Sequence, residues 1–98
     1  MQVITTNKNI STKEFLNHVV EEIKNNILDT YDDRKPSDLE VIQVWYCKTI
    51  QNHKGLFIVN DLITNKLYPY FYECTYNGDL GEMYIDCYQK TFKYTIKI

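Results

Sequence analysis

Alanine is missing from this chain altogether, arginine occurs once, at Arg34, and there are only three glycines and two prolines. So few glycines cannot supply the repeated-glycine loops that cradle phosphates, and no P-loop, dinucleotide pattern, nucleophile elbow or zincin motif occurs. A lone arginine and a net charge of −2 leave no basic patch, the electrostatic footprint expected of a nucleic-acid binder. The cysteines, Cys47, Cys74 and Cys87, are odd in number and widely spaced. That argues against a disulfide framework and for free thiols in a reducing cytosol. No apolar run approaches a membrane span, and the opening MQVITTNKN is polar. A soluble cytoplasmic protein without an export signal is the expectation.

What is present suffices for one small domain. The chain has 98 residues, 44% of them hydrophobic and 14% aromatic, with no internal repeat and no low-complexity segment. Acidic residues dominate up to residue 40, and the remainder is nearly balanced.

Residues 1–10 read as an arm or a short strand. Ser11 and Glu14 then have the spacing of a capping box, which satisfies exposed N–H groups at a helix start. Phe15, Leu16, Val19, Val20, Ile23 and Ile27 recur with helical period, predicting an amphipathic helix over 11–30. YDDRKPSD follows as a loop or short turn. From residue 40 the pattern becomes β-branched and aromatic: EVIQVWYCKTI is a strand, QNHKG a turn and LFIVN a second strand. LYPYFYECTY is a third, with Pro69 placing it at an edge or a strand start. Asn77-Gly78 is the strongest hairpin signal in the chain, and MYIDCYQKTFKYTIKI makes one bent strand or two short ones. The expected fold is α+β: one amphipathic N-terminal helix on a four- or five-stranded antiparallel sheet formed by residues 40–98, all one domain.

Several groups invite a chemical reading. Asn77, Asp79, Glu82 and Asp86 are hard oxygen donors, yet the flanks are strands and the spacing is not that of an EF-hand, so solvated acids around a hairpin are expected. Cys47, Cys74 and Cys87 with a histidine would make a zinc set, but without the close-spaced pairs such sites use. His18 falls on the polar helix face between Glu14 and Glu22, a solvated charge array, and His53 is expected in the QNHKG turn. No metal, cofactor or catalytic residue is assigned, and no enzymatic activity is expected.

The nine tyrosines are the most distinctive content. Tyr68, Tyr70, Tyr72 and Tyr76 share one parity on the third strand. On the fourth, alternation aims Met83, Ile85 and Cys87 inward and Tyr84, Asp86 and Tyr88 outward. Whether the two tyrosine rows share a face depends on hairpin register. Tyrosine fills half-exposed sheets, forms protein interfaces, and stacks single-stranded bases. The residues expected to meet a partner are Tyr70, Tyr72, Tyr84, Asp86 and Tyr88, with Asp79 and Glu82 at the hairpin tip.

The absence of alanine beside abundant Ile, Asn, Lys and Tyr reflects AT-rich codons, as in low-GC Gram-positive bacteria and their phages. Two stretches carry a resemblance that agrees with this. Val44, Trp45, Cys47, Lys48, Thr49, Gln51 and Asn52 match a V-W-x-C-K-T-x-Q-N pattern. Tyr72, Glu73, Thr75, Tyr76, Asn77, Gly78, Asp79, Glu82, Tyr84, Asp86 and Tyr88 match Y-E-x-T-Y-N-G-D-x-x-E-x-Y-x-D-x-Y. The chain resembles a family of small uncharacterised phage and prophage proteins of Gram-positive hosts, departing from it in a longer middle section, IVNDLITNKLYPYF, and an N-terminal arm. The resemblance implies phage or prophage origin and brings no assigned activity. The expected function is a non-enzymatic binding protein that inhibits a host or defence protein, anti-CRISPR action included, with a homodimer also open. The alternative is an early phage protein binding single-stranded nucleic acid through sheet tyrosines with Lys90, Lys93 and Lys97.

Overall fold

In the computed structural model, residues 9–91 and 93–98 are described; the arm or strand expected over 1–10 lies, up to residue 8, outside them. Helix α1 spans Thr12–Thr30 and starts as the sequence predicts. The Ser11 hydroxyl accepts from the Glu14 N–H (3.1 Å), and the Glu14 carboxylate accepts from the Ser11 N–H (3.2 Å). Phe15, Val19, Ile23 and Ile27 form its buried stripe. A short 3-10 turn, Pro36–Asp38, leads into the sheet.

The strands are β1 (Leu39–Thr49), β2 (Asn52–Asp61), β3 (Lys66–Leu67), β4 (Tyr70–Asn77) and β5 (Glu82–Gln89). They form a five-stranded antiparallel sheet in the order β1-β2-β4-β5, with β3 paired to β2 beyond the end of β4. The fold is therefore the expected α+β arrangement, one helix against one antiparallel sheet. Pro69 stands between β3 and β4, where its missing donor interrupts no ladder, while its carbonyl accepts from the Lys90 N–H (3.0 Å).

Two turns differ from the sequence reading. QNHKG is not a turn: the β1–β2 reversal is Ile50-Gln51 alone, with Ile50 at φ 57° and Thr49 paired to Asn52. His53, Gly55, Phe57 and Val59 then alternate inward along β2 and are buried. Glycine stands at 55 because the Phe57 ring lies over it: a Cβ there would sit 2.7 Å from Cε2. His53 is buried beneath the helix start and stacks on Phe15 (centroids 4.9 Å apart). Its Nε2 meets the Ile10 carbonyl (2.9 Å), which can only accept, so Nε2 carries the proton. Its Nδ1 meets the Tyr46 phenol (2.5 Å), which reaches Thr12 Oγ1 (2.9 Å).

The hairpin expected at Asn77-Gly78 is present between β4 and β5, and the second difference is the length of its loop. These residues are not the centre of a two-residue turn: Asn77 pairs with Glu82 across a loop of residues 78–81. The Asn77 side chain accepts from the N–H groups of Asp79 (2.9 Å) and Leu80 (3.3 Å), and the left-handed residue is Gly81, at φ 68°. Gly78 instead packs on Gln51, whose carbonyl a Cβ would approach to 2.3 Å, and donates to Asn52 Oδ1 (2.9 Å). Gln51 Nε2 donates to Asp79 Oδ1, so the two hairpin tips are laced together.

The core comprises the helix stripe with Leu39, Phe57, Val59, Tyr72, Cys74 and Tyr76. Arg34, the only arginine, serves this architecture. Its guanidinium grips Asp61 with Nε on Oδ1 (3.1 Å) and Nη2 on Oδ2 (2.9 Å), and Thr64 Oγ1 donates to the same carboxylate (2.8 Å). The Arg34 hydrogen bonds hold the Asp61 carboxyl well below the ordinary carboxylate range, against the opposing effect of burial.

Candidate functional site

A helix covers one face of a sheet, and here nothing among the described residues covers the other. Which side chains reach that outer face is set by alternation, interrupted once. Along β1, Leu39 and Val41 point to the helix side, opposite Asp61 and Val59. A bulge between Gln43 and Trp45 then shifts the register, so that Trp45 lies opposite Leu56 and Tyr46 opposite the buried Gly55. Without the bulge, Trp45 would share the helix-side parity of Leu39 and Val41. With it, the only tryptophan faces outward.

The outer face reads in cross-strand rows. Cys47, Lys54, Thr75 and Tyr84 make one; Trp45, Leu56, Glu73 and Asp86 make the next; Phe71 opposite Tyr88 continues the aromatic surface. Trp45 and Phe71 are each 42% exposed, Tyr84 44% and Tyr88 53%, around half-buried Ile42, Leu56 and Ile58. A sheet normally turns such residues toward a second layer. A depression of about 510 Å³ opens on this side, lined in part by Trp45, Cys47, Lys54, Thr75, Asn77 and Asp79.

Charge on this face is one-sided. Among the residues of the strands, parity brings Glu40, Glu73, Glu82 and Asp86 to it, against the single lysine Lys54, which sits 3.7 Å from Glu73. The Tyr84 phenol donates to Glu82, and that hydrogen bond, with smaller effects of desolvation and charge, raises the phenol's pKa.

The residues expected to meet a partner are divided by the sheet. Tyr84, Asp86 and Tyr88 stand on the outer face. Tyr70 and Tyr72 do not join them: both lie on the helix side, because even positions of β4 pair with odd positions of β5. Tyr72 is buried, with its phenol donating to Asn26 Oδ1 (2.7 Å), and desolvation raises its pKa strongly. Tyr70 is half-buried with its phenol 3.2 Å from that of Tyr31, which raises its pKa. The two tyrosine rows are thus opposed, and the first packs under the helix. Asp79 stands in the hairpin loop bonded to Gln51, and Glu82 at the start of β5.

Trp45, Phe71, Leu56 and Ile58 belong to the surface but were not among the residues expected to meet a partner. Phe71 carried a signal, being of opposite parity to Tyr70 and Tyr72; Trp45 carried none, because the bulge reverses its side. The three cysteines go to three environments: Cys74 in the core, its thiol pushed up to about 12 by burial, Cys47 outside, and Cys87 on the helix side of β5. Among the described residues no three His, Cys, Asp or Glu side chains converge on a common point. No helix among them is long and apolar enough to cross a membrane.

Residues 11–98 match the model of a family described as a family of unknown function (DUF6275). No curated protein matches the chain, and no solved structure does.

Proposed function

Since the chain belongs to this family of unknown function (DUF6275), we propose from its geometry that it is a non-enzymatic binding module whose outer sheet face docks on another protein. The observation that carries this reading is the face itself. Trp45, Phe71, Tyr84 and Tyr88 form an aromatic surface over half-buried aliphatic residues, without a covering layer among the described residues. Aromatic side chains of this kind supply large rigid contact area and dominate interface energetics. The partner that fits is a protein presenting an apolar patch rimmed by basic groups, because the face sets four carboxylates against one lysine. Basic-rimmed surfaces are typical of proteins that handle nucleic acid. In the setting implied by the resemblance to phage proteins, the reading becomes inhibition of a host or defence protein in the bacterial cytoplasm, anti-CRISPR action being one form. The same charge disfavours the single-strand reading, since phosphates would approach carboxylates.

The test is affinity capture from a host lysate with the wild-type chain and with Trp45→Ala and Tyr88→Ala in parallel. A protein retained by wild type and lost with both variants is the expected result. Equal retention by all three, or no retained protein, overturns the reading. A salt-titrated gel shift showing tight single-strand binding abolished by Tyr88→Ala would favour the alternative instead.

A further inference from the structure

A different feature, the open edge of β5, points to a second partner. β5 ends the sheet, and its outer edge pairs with no strand among the described residues. Such an edge offers a row of backbone donors and acceptors, usually blunted by lysine, proline or a bulge. The β1 edge has two of these devices, a bulge at Gln43/Trp45 and Lys48. β5, EMYIDCYQ, has no lysine, proline or bulge over eight residues, and its two charges, Glu82 and Asp86, both stand on the outer face. Its helix-side residues are also poorly covered. Met83 and Ile85 are half-buried, Cys87 is exposed, and a groove of about 540 Å³ between helix and strand is lined by Ile10, His18, Glu22, Met83 and Ile85.

The chain holds a segment suited to that edge. After β5, residues 93–98 belong to no strand, yet Tyr94, Ile96 and Ile98 alternate with Lys93, Thr95 and Lys97, the period of a half-buried strand. Ile96 is 72% exposed. Antiparallel pairing of Tyr94 with Cys87, Ile96 with Ile85 and Ile98 with Met83 would extend the helix-side apolar surface. It would also bring Lys93 and Lys97 to the outer face, diagonal to Asp86 and Glu82. Folding back within one chain would require a two-residue turn at Lys90-Thr91. Such turns favour left-handed residues, usually Gly, Asn or Asp; Ile50-Gln51 makes one between β1 and β2 with Ile50 held at φ 57°, and Lys90-Thr91 likewise lacks the favoured residues. The Lys90 N–H moreover donates to the Pro69 carbonyl, continuing the β4 side.

We propose that residues 93–98 of one copy add as a strand to the β5 edge of a second copy, reciprocally, giving a two-fold strand-exchanged dimer. The contacts lie on the β5 edge and its helix side, away from Trp45 and Phe71, so loss of the dimer with Ile96→Lys and loss of partner capture with Trp45→Ala are read separately.

Sedimentation of the full chain across a concentration series is expected to show a species of twice 11.7 kDa. Ile96→Lys, at an exposed position, is expected to give a monomer with unchanged circular dichroism. Tyr94→Cys places a thiol opposite the partner's Cys87, within disulfide reach, and mild oxidation should give a reducible dimer linked between those positions. Thr95→Cys, of opposite parity, should not form that link. A monomer at every concentration, a 94–87 link within one chain, or a dimer that survives Ile96→Lys but dissociates with Trp45→Glu would each overturn the proposal.

Discussion

Tyr72 and Tyr88 are the same residue type on neighbouring strands, and the fold gives alanine substitutions at them opposite outcomes. Tyr72 is 1% exposed and sits under α1, so Tyr72→Ala removes a whole buried ring and leaves a cavity. Substitutions of that kind cost about 3–5 kcal/mol, a large share of the roughly 5–15 kcal/mol that holds a domain of this size together. Tyr72→Phe keeps the ring and loses the phenol's hydrogen bonding, chiefly that to Asn26, which lies on an exposed helix position and regains water, so about 0.5–1.5 kcal/mol is expected. Tyr88 is 53% exposed on the open face, and its truncation should cost no more than about 1 kcal/mol, mostly strand propensity. Urea unfolding followed by far-ultraviolet circular dichroism reads these values. With a slope of about 1.5 kcal/mol per molar, Tyr72→Ala should lower the midpoint by about 2 M or more, and Tyr88→Ala by well under 1 M. Partner capture should show the reverse ranking, with Tyr88→Ala folded and defective. If Tyr88→Ala unfolds the domain as severely as Tyr72→Ala, the assignment of faces, and with it the proposed binding surface, is wrong.

Gly55→Ala is expected to cost about 1–3 kcal/mol by forcing the Phe57 ring aside, and the double variant with Phe57→Leu should cost less than the sum; additive values in urea would refute the contact. The Asp61 pKa is lowered in the fold, so the unfolded chain takes up the proton first as pH falls below about 4. The stabilisation is complete above that value and is lost as pH falls further; Asp61→Asn should flatten the decline in midpoint below pH 4, and an unchanged decline would contradict it. Cys74, raised to about 12, gives the opposite sign: its contribution is complete below the ordinary thiol pKa near 9 and is lost as pH rises through 12. At pH 8 the exposed Cys47 and Cys87 should alkylate quickly and Cys74 only upon unfolding; rapid labelling of all three under native conditions would place Cys74 outside the core.

The helix was legible because its signals are local. Ser11 and Glu14 fall within one turn, and the Phe15-to-Ile27 stripe repeats with the helix period. The strands were legible from alternation and the β4–β5 hairpin from Asn77-Gly78, but the extent of the turns was not. Asn52, His53, Lys54 and Gly55 have turn composition, yet His53 and Gly55 hold inward positions set by Phe15 and Phe57, distant contacts that a local reading does not include. The loop after Asn77 is two residues longer than an Asn-Gly turn. Tyr84, Asp86 and Tyr88 face outward as alternation along β5 predicts, whatever the loop length. A bulge changes parity by one, so Trp45 was lost to the reading. Tyr70 and Tyr72 were open in sequence because only the β4–β5 register tells which side they take.

The bulge in β1 also has an optical consequence. It turns the sole indole away from the core and onto the outer face, where it is partly in solvent before any denaturant is added. Intrinsic tryptophan emission should therefore change little when the core melts and should shift to shorter wavelength when a protein covers the aromatic face. Fluorescence, usually the convenient gauge of folding, becomes in this molecule a label-free gauge of occupancy.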